Sequence, residues 1–297
     1  MLYFTNDTTV FINGEWVNAK EAKTGNFSQT LHYGNGVFEG MRAYETPLGT
    51  HIFRAFEHYE RFLYSCSCMG INIDYDVEEL VAITYELLDR NNFKYAYIRP
   101  LVYLAPDMGL KTPAGNNLMI SAWKWRPYLG EKLLNVMTSS YERPNPRSCI
   151  IDAKISGQYI TSILAVNEAK TKGYDEALLL DMNGFVAEGP GANFFYEKDN
   201  VLYTCPKGHI LPGITRATIL QLAKDLEIEI KEMFFTIEDV EGADGAFFAG
   251  TAAELAGLKS LNDIPFKKPW TDTHGYRLKN AYRGLVVSSE AVIKDVV

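Results

Sequence analysis

Lys154 is the side chain of this sequence with the clearest chemical potential. It stands in Asp152-Ala-Lys-Ile-Ser-Gly-Gln-Tyr159, between small residues and five positions before a tyrosine. A lysine in such surroundings is ordinarily a solvent-exposed charge. An amine that forms a Schiff base needs a phenol or another polar group nearby to orient the imine, and Tyr159 is a candidate for that task. The stretch therefore allows covalent lysine chemistry, provided that other residues support it.

A carboxyl group with a defined task is offered by Glu188, further along the chain. It lies in Val186-Ala-Glu-Gly-Pro-Gly-Ala-Asn193, after a strand-like run and among glycines. Such a carboxylate could keep a ring nitrogen protonated and so make a heterocycle withdraw electrons. The plain alternative is a turn glutamate that faces water, as most carboxylates do.

Three segments could bind a phosphate group. Leu211-Pro-Gly-Ile-Thr-Arg216 leads into a predicted helix, and the first N–H groups of a helix form an anion site. The backbone of Ala249-Gly-Thr-Ala-Ala253 can approach a phosphate closely, and the guanidinium of Arg54 can pair with two phosphate oxygens. Helix capping, a tight sheet corner and a surface arginine are the ordinary interpretations. A reactive lysine, an acid and a phosphate cradle are together what pyridoxal phosphate needs, so the sequence predicts this cofactor.

Other reaction classes lack their motifs. The five histidines form no H-E-x-x-H pair, and the chain has neither a G-x-S-x-G nucleophile elbow nor a G-x-x-x-x-G-K-[ST] phosphate loop. In Gly34-Asn-Gly-Val-Phe-Glu-Gly40 the third glycine comes one position too late for a dinucleotide fingerprint. We therefore exclude zinc proteases, α/β-hydrolases and P-loop proteins, and we expect no metal site.

Composition and charge narrow the class of protein further. The 297 residues include 47% hydrophobic and 22% charged residues, which is typical of a globular protein of about two domains. With 29 basic and 37 acidic side chains the formal net charge is −8, which disfavours nucleic acid and membrane surfaces as partners. The four cysteines form no C-x-x-C motif, and no apolar run approaches the ~20 residues of a membrane span. The first residues do not resemble a secretory signal, so we expect a cytoplasmic protein.

The elements that must hold these side chains follow from periodicity and turn residues. In the first half, Asn13-Gly14 separates two short apolar runs and predicts a β-hairpin. Helical spacing extends over 56–69 and 77–91, and a strand-like run over 95–104 is interrupted by Pro100. A mixed α/β unit is expected here.

The second half is rich in hairpin signals. Asn183-Gly184 and Lys198-Asp-Asn200 each separate two strand-like runs, which predicts an antiparallel sheet. A helix is predicted over 216–226 and a strand over 228–235. Because strands and helices segregate, the expected fold class is α+β, a mixed α/β arrangement without a doubly wound parallel sheet.

Six motifs occur together and in one order along nearly the whole chain. They are Leu31-His-Tyr-Gly34 with Val37-Phe-Glu-Gly40, Tyr97-Ile-Arg-Pro100, Lys154 with Tyr159, Glu188-Gly-Pro-Gly191, Leu211-Pro-Gly-Ile-Thr-Arg216 and Gly250-Thr-Ala-Ala-Glu254. Their joint occurrence resembles the class IV aminotransferases, and specifically the branched-chain amino acid aminotransferases. The resemblance implies fold type IV of the pyridoxal phosphate enzymes. It further implies a smaller N-terminal α/β domain at 1–125, an interdomain loop at 126–135 and a larger C-terminal pseudo-barrel domain at 136–297.

The resemblance also assigns residues to the cofactor. Lys154 would carry pyridoxal phosphate as a Schiff base and move the proton at the substrate Cα. Tyr159 would bond the phenolic oxygen of the ring, and Glu188 the ring nitrogen. The other cofactor-binding residues, expected around the phosphate, are Arg54, Ile214, Thr215, Gly250 and Thr251.

Substrate residues follow from the same resemblance. The α-carboxylate would bind at Tyr97, Thr251 and Ala252, and Arg99 would pair with the side-chain carboxylate of glutamate or 2-oxoglutarate. The pocket for leucine, isoleucine or valine would consist of Phe38, Gly40, Met108, Trp125 and Tyr128, with Tyr33 and Leu110 from the neighbouring subunit of a homodimer or higher homo-oligomer. The implied reaction is ping-pong transamination with 2-oxoglutarate, which gives a branched-chain 2-oxo acid and L-glutamate. Ordinary core packing is the alternative for the aromatic residues.

Two features depart from the family pattern. Ala192 stands where many members have glutamate, and the C-x-x-C redox switch of mammalian-type members is missing, so thiol regulation is not expected. Alternatives of the same fold are D-amino acid aminotransferases, (R)-amine transaminases and aminodeoxychorismate lyases. Tyr97 with Arg99, and the loop at Gly109-Leu110, favour the branched-chain, L-specific group. A non-catalytic binding domain that keeps only the fold is the alternative from another class.

Overall fold

The computed structural model describes residues 3–294, and these form two compact units. The first unit contains 3–126, 153–157 and 286–294, and the second contains 127–152 and 158–285. The segment with Lys154 therefore belongs to the first unit, although the sequence interpretation had placed it in a C-terminal domain.

The first unit is a seven-stranded antiparallel sheet with helices. Its strands are β1 (Thr9–Ile12), β2 (Glu15–Asn18), β3 (Val37–Phe38), β4 (Met41–Thr46), β5 (Gly49–Ile52), β6 (Ala96–Leu104) and β7 (Asn116–Trp123). Its main helices are α1 (Gln29–Tyr33), α2 (Ala55–Cys68) and α3 (Val77–Arg90). The strand order is β2-β1-β7-β6-β4-β5, and β3 pairs with β6.

Local chemistry explains these elements and confirms the predicted hairpin and helices. Asn13 and Gly14 both have positive φ, 49° and 90°, as a tight hairpin turn requires. α3 begins with a complete capping box between Asp76 and Glu79, and its buried face includes Leu80 and Leu87.

The predicted interruption at Pro100 was wrong, because β6 continues through it. β4 pairs with β6 up to Ile98, and β3 pairs with it from Leu101 onward. Between these pairings the Pro100 carbonyl accepts a hydrogen bond from the Glu39 N–H. Since the N and C=O of a strand residue point the same way, the missing donor of Pro100 faces the break between β3 and β4.

The second unit contains nine strands. They are β8 (Leu134–Glu142), β9 (Glu176–Leu180), β10 (Val186–Glu188), β11 (Asn193–Lys198), β12 (Val201–Thr204), β13 (Ile230–Glu232), β14 (Gly245–Gly250), β15 (Glu254–Leu261) and β16 (Ile264–Pro265). Its order is β10-β9-β8-β15-β14-β11-β12-β13. An additional pairing of β10 with β11 closes six of these strands into a barrel-like ring.

The helices of the second unit explain why the sheet is only partly antiparallel. They are α4 (Tyr159–Thr171), α5 (Ile214–Asp225), α6 (Ile237–Val240) and α7 (His274–Val286), and a last helix α8 (Ser289–Lys294) follows in the first unit. The pairs β8–β9, β8–β15 and β12–β13 are parallel, so the prediction of an antiparallel sheet was wrong for them. α4 connects β8 to β9 and α5 connects β12 to β13, and such crossovers are what parallel neighbours need. The mixed α/β class itself is confirmed.

Candidate active site

Lys154 is held through its main chain by two elements of the first unit. Its carbonyl accepts a hydrogen bond from the N–H of Phe38 in β3, at 3.2 Å, and its own N–H donates to Oγ of Ser65 in α2, at 2.9 Å. Its Nζ lies 4.8 Å from the centre of the Phe38 ring. A lysine held in this way differs from the solvated surface charge that its local sequence would suggest.

The guanidinium of Arg99, a half-buried residue, contacts the same aromatic ring. Cζ of Arg99 lies 4.6 Å from the centre of Phe38, and Nη2 donates to the Tyr97 hydroxyl at 2.9 Å. Nε of Arg99 is buried and has no hydrogen-bond partner among the described residues. A buried N–H group normally has a hydrogen-bond partner, so the unpartnered Nε fits an arginine that receives a carboxylate from a ligand.

Small and aromatic residues complete this cluster. A Cβ at Gly40 would lie 2.0 Å from the Tyr97 hydroxyl, so only glycine leaves that phenol its place. Trp125 packs edge-on against Tyr97 with ring centres 5.0 Å apart. The Trp125 carbonyl accepts a hydrogen bond from Arg42, which is 1% exposed. Sequence reasoning missed Arg42, because an arginine in a strand gives no sign that it is buried.

Arg54, a predicted phosphate ligand, begins helix α2. It has positive φ, 53°, and its Nε lies 2.7 Å from Oε1 of Glu57 in the first turn of that helix. The strained backbone indicates a fixed position for Arg54, but the described contact is to a carboxylate of its own chain.

Three residues predicted to line the pocket lie on the surface of the first unit. Tyr33 and Met108 are each 48% exposed and Leu110 is 88% exposed. The Tyr33 hydroxyl donates to the Met108 carbonyl at 3.0 Å, which joins α1 to the loop after β6. An exposed apolar group of this kind is typical of a surface that a partner covers.

Glu188 ends strand β10 in the second unit and is 5% exposed. Oε2 accepts a hydrogen bond from Asn193 Nδ2 at 2.8 Å, and Oε1 accepts one from the Leu211 N–H at 3.1 Å. Nε of Arg143 lies 2.7 Å from Oε1, but its N–H is not aligned for a hydrogen bond. The alternative of a water-facing turn glutamate is thereby excluded.

Neither Arg143 nor Asn193 was recognised as functional from the sequence. Arg143 follows directly after β8, and its side chain is 10% exposed. In the sequence Asn193 is merely the last residue of the glutamate motif, yet it donates to both Glu188 and the Leu211 carbonyl. The one available signal was chemical, because a buried carboxylate needs a cation or several donors.

Helix α5 begins next to the Glu188 cluster. Its N-cap is Gly213, which provides no side-chain cap, so the amides of Ile214 and Thr215 lie at a helix start of the type that binds anions. A Cβ at Gly213 would lie 2.1 Å from Asn193 Oδ1, which explains the glycine. The helix start and the acid therefore share Asn193 as a neighbour.

The second turn of small residues lies at the end of β14. A Cβ at Gly250 would lie 3.1 Å from the Cβ of Ala192 and from the Gly191 carbonyl, so two backbones approach closely there. The carbonyl of Ala252 accepts a hydrogen bond from the Tyr128 N–H at 2.8 Å. Thr251 lies between these two contacts, and Tyr159, the predicted partner of the cofactor oxygen, is the first residue of α4.

The cysteines and the possible metal ligands of the chain offer no second site among the described residues. All four cysteines are free, and burial raises the pKa of Cys66 and of Cys205 to about 12, which leaves both as unreactive thiols. Across residues 3–294 no group of three or more histidine, cysteine, aspartate or glutamate side chains could hold a metal ion. Within the same range no helix is long and apolar enough to cross a membrane.

Comparison with known proteins identifies the family. The family model for amino-transferase class IV matches residues 36–261. The branched-chain-amino-acid aminotransferase of Pseudomonas aeruginosa is 42% identical over 262 residues, with 86% of this chain and 85% of the relative covered.

Two solved structures show the same fold. The branched-chain aminotransferase of Thermoproteus uzoniensis, solved with norvaline, has a TM-score of 0.90 at 35% identity, and the match covers 94% of this chain and 95% of that one. The enzyme of Thermobaculum terrenum, solved in its PLP-form, has a TM-score of 0.89 at 28% identity, with 95% and 94% covered. The expected fold type IV is thereby confirmed. The chain belongs to the class IV aminotransferases, and within them to the branched-chain-amino-acid aminotransferases.

Proposed function

We propose that this protein transfers the amino group between L-leucine, L-isoleucine or L-valine and 2-oxoglutarate, with pyridoxal phosphate as cofactor. The observation that carries the proposal is that one ring, that of Phe38, lies against both the amine of Lys154 and the guanidinium of Arg99. An amine for the chemistry and a cation for a second carboxylate are the two groups that such an exchange requires.

The side chains have distinct tasks in this reaction. Pyridoxal phosphate, when bound, supplies an electron sink for the charge left at the substrate Cα. The Lys154 amine would hold the cofactor covalently before the reaction and, once released, would take the proton from the substrate Cα and return it to the carbon on the other side of the transferred nitrogen. Glu188 would keep the ring nitrogen protonated, and Tyr159 would donate to the phenolic oxygen.

The residues present fit two parts of this cofactor, the protonated ring nitrogen and the phosphate group. The buried Glu188 offers a carboxylate whose two oxygens are fixed by Asn193 and by the Leu211 amide. The start of α5 has no side-chain cap, which suits a phosphate at the amides of Ile214 and Thr215. We assign Arg54, Gly250 and Thr251 to the same phosphate on the basis of the family resemblance.

On the basis of the family resemblance, we assign the two kinds of substrate to different groups of residues. Arg99 pairs with the side-chain carboxylate of glutamate or 2-oxoglutarate, which its unpartnered buried Nε supports. The α-carboxylate binds at Tyr97, Thr251 and Ala252. Aliphatic side chains pack on the apolar residues, which are Phe38, Gly40, Met108, Trp125 and Tyr128. Since one methylene is worth only about 1 to 3 kcal/mol, we expect all three branched-chain amino acids to react.

The site is completed by a second copy of this chain. Tyr33 and Leu110 are 48% and 88% exposed in the single chain, so both side chains are accessible to a partner. We assign them to the pocket of the partner in a homodimer or higher homo-oligomer. The four free thiols fit a reducing compartment, and we place the protein in the cytoplasm.

A spectrophotometric titration tests this function. The purified protein should be yellow, lose that absorbance when L-leucine is added, and regain it with 2-oxoglutarate. D-Alanine, aminodeoxychorismate and a simple chiral amine serve as comparison substrates for the D-amino acid aminotransferase, lyase and amine transaminase alternatives. A protein that stays colourless with added pyridoxal phosphate would instead be a binding domain.

A further inference from the structure

A closed cluster of ionisable groups lies beside the Lys154 segment in the first unit. We define the Glu39 cluster as Glu39, His58 and Arg61, of which the first two are 0% and 2% exposed. Arg61 donates from Nε to Oε1 at 2.6 Å and from Nη2 to Oε2 at 3.0 Å. His58 Nδ1 lies 2.8 Å from Oε2, and the Gly40 N–H donates to the same oxygen at 3.0 Å. Four donors therefore surround one carboxylate, which is about its full capacity.

The cluster carries no net charge that a ligand must balance. Burial opposes ionisation of Glu39, but the charge of Arg61 and the hydrogen bonds from Arg61 and His58 outweigh it and hold the pKa of Glu39 well below its usual range. Burial also lowers the pKa of His58, against the attraction of Glu39. We therefore take His58 as neutral, with Nδ1–H donating, and Arg61 as the counter-charge of Glu39.

The cluster joins the same two elements that hold Lys154. Glu39 lies between β3 and β4, and His58 and Arg61 belong to α2. Phe38, beside Glu39, donates to the Lys154 carbonyl. On the side of α2, the Lys154 N–H donates to Ser65 Oγ, and that hydroxyl donates to the Arg61 carbonyl at 2.8 Å.

We propose that Glu39, His58, Arg61 and Ser65 are positioning residues for Lys154: they fix the separation of the β3–β4 turn and α2, and so the place of the lysine main chain. The inference rests on the proposed role of Lys154. The cluster touches neither substrate nor cofactor in this account, and it acts by limiting how far the reactive amine can move. A cluster that only stabilised the fold would loosen the whole unit equally when broken.

Amide hydrogen exchange and kinetics separate the two roles. The variants are Glu39→Gln, Ser65→Ala and a matched control, Thr84→Val. Thr84 Oγ1 lies 2.5 Å from the Tyr59 hydroxyl in a buried α2–α3 contact remote in sequence from Lys154. The exchange rate of the Lys154 amide is divided by that of Ile120, which is fully buried in β7. This ratio corrects each holoenzyme for loss of global stability.

We expect this ratio to rise about tenfold in Glu39→Gln and Ser65→Ala, which is the effect of losing one buried hydrogen bond, and to stay unchanged in Thr84→Val. In the same two variants kcat should fall, by about 100-fold for Glu39→Gln, while KM for L-leucine changes little. Ser65→Ala removes a single hydroxyl and decides the question if Glu39→Gln does not fold.

An unchanged ratio in Ser65→Ala, or an equal rise in Thr84→Val, would overturn the inference. Reduction of the wild-type holoenzyme with borohydride tests the underlying function separately. If the cofactor is then found on another residue, the proposed function fails. If it is found on Lys154 while the exchange ratios stay equal, only the positioning role fails.

Discussion

Each of the two units buries one glutamate against one arginine, yet the two pairs are built differently. In the first unit, Arg61 makes two aligned hydrogen bonds to Glu39, and two further donors complete the carboxylate. In the second unit, Arg143 lies at ion-pair distance from Glu188 without an aligned N–H. A carboxylate with a full set of aligned donors serves the structure and is held in one position. To bind another group it would have to give up a charge-assisted hydrogen bond. The pair at Glu188 lacks this aligned geometry, which suits the proposed task of accepting a protonated ring nitrogen.

The largest contrast is expected in catalysis. Glu188→Gln should lower kcat for L-leucine by about 1000-fold, because an amide cannot hold a proton on the ring nitrogen. The exchange of the Lys154 amide should stay at the wild-type rate, whereas Glu39→Gln should change it. Stopped-flow kinetics and hydrogen exchange on both variants measure this. Comparable kcat values for Glu188→Gln and the wild type would contradict the assignment of the acid.

The effect on stability should be larger for Glu39 than for Glu188, the opposite of the order expected for kcat. Glu39→Gln leaves Arg61 buried without its counter-charge and should lower the free energy of unfolding by about 3 to 5 kcal/mol. Glu188→Gln should lower it by about 1 to 3 kcal/mol, because the new carbonyl still accepts from one of the two donors, Asn193 or the Leu211 amide, and Arg143 loses no aligned hydrogen bond. Urea unfolding of the cofactor-free proteins provides both values. A larger loss at position 188 would show that alignment of the arginine does not matter.

Arg99 extends the comparison to an arginine whose buried Nε has no partner among the described residues. Arg99→Met should raise KM for 2-oxoglutarate by about 10- to 100-fold, the value of a charged hydrogen bond, and leave KM for L-leucine nearly unchanged. Unlike Glu39→Gln it should not destabilise the protein, since Arg99 has no carboxylate partner among the described residues and the change leaves no charge without its counter-charge. Half-reaction kinetics with each substrate separate the effects, and equal losses for both would count against the assignment.

The smallest expected effect is on the acid limb of the stability profile. The pKa of Glu39 is lowered on folding from an ordinary value of 4.5, so its contribution is complete above about pH 4.5 and is lost as the pH falls below that value. Glu39→Gln should therefore have a shallower loss of stability between pH 4.5 and 3 than the wild type. Urea midpoints at a series of pH values test this. If the midpoints of the variant and the wild type depend on pH in the same way, the pKa of Glu39 is not lowered by its partners.

The sequence was most informative where a local rule decides the structure. The Asn13-Gly14 turn and the helices over 56–69 and 77–91 depend on turn chemistry and periodicity, and these were predicted. The parallel neighbours of β8 were not, because they are set by crossovers rather than by local signals. The interruption predicted at Pro100 was wrong for the same reason. A proline is tolerated within β6 because its missing N–H faces the break between β3 and β4.

Partners of the reactive residues could not be read from the chain. Lys154 and Glu188 were found by motif, but Arg143 and the Glu39 cluster become visible only when the fold brings distant residues together. Sequence spacing carries no sign that Arg61 is a hydrogen-bond donor to a residue 22 positions earlier. Burial, which distinguishes these groups from surface charges, is a property of the fold.

Mass spectrometry of the borohydride-reduced holoenzyme decides whether Lys154 is the residue that carries the cofactor. We expect one phosphopyridoxyl group per chain, on the peptide that contains Lys154, and its loss from that peptide when L-leucine is added before reduction. A phosphopyridoxyl group on any other lysine, or none at all in a protein that transaminates, would show that Lys154 does not have this role.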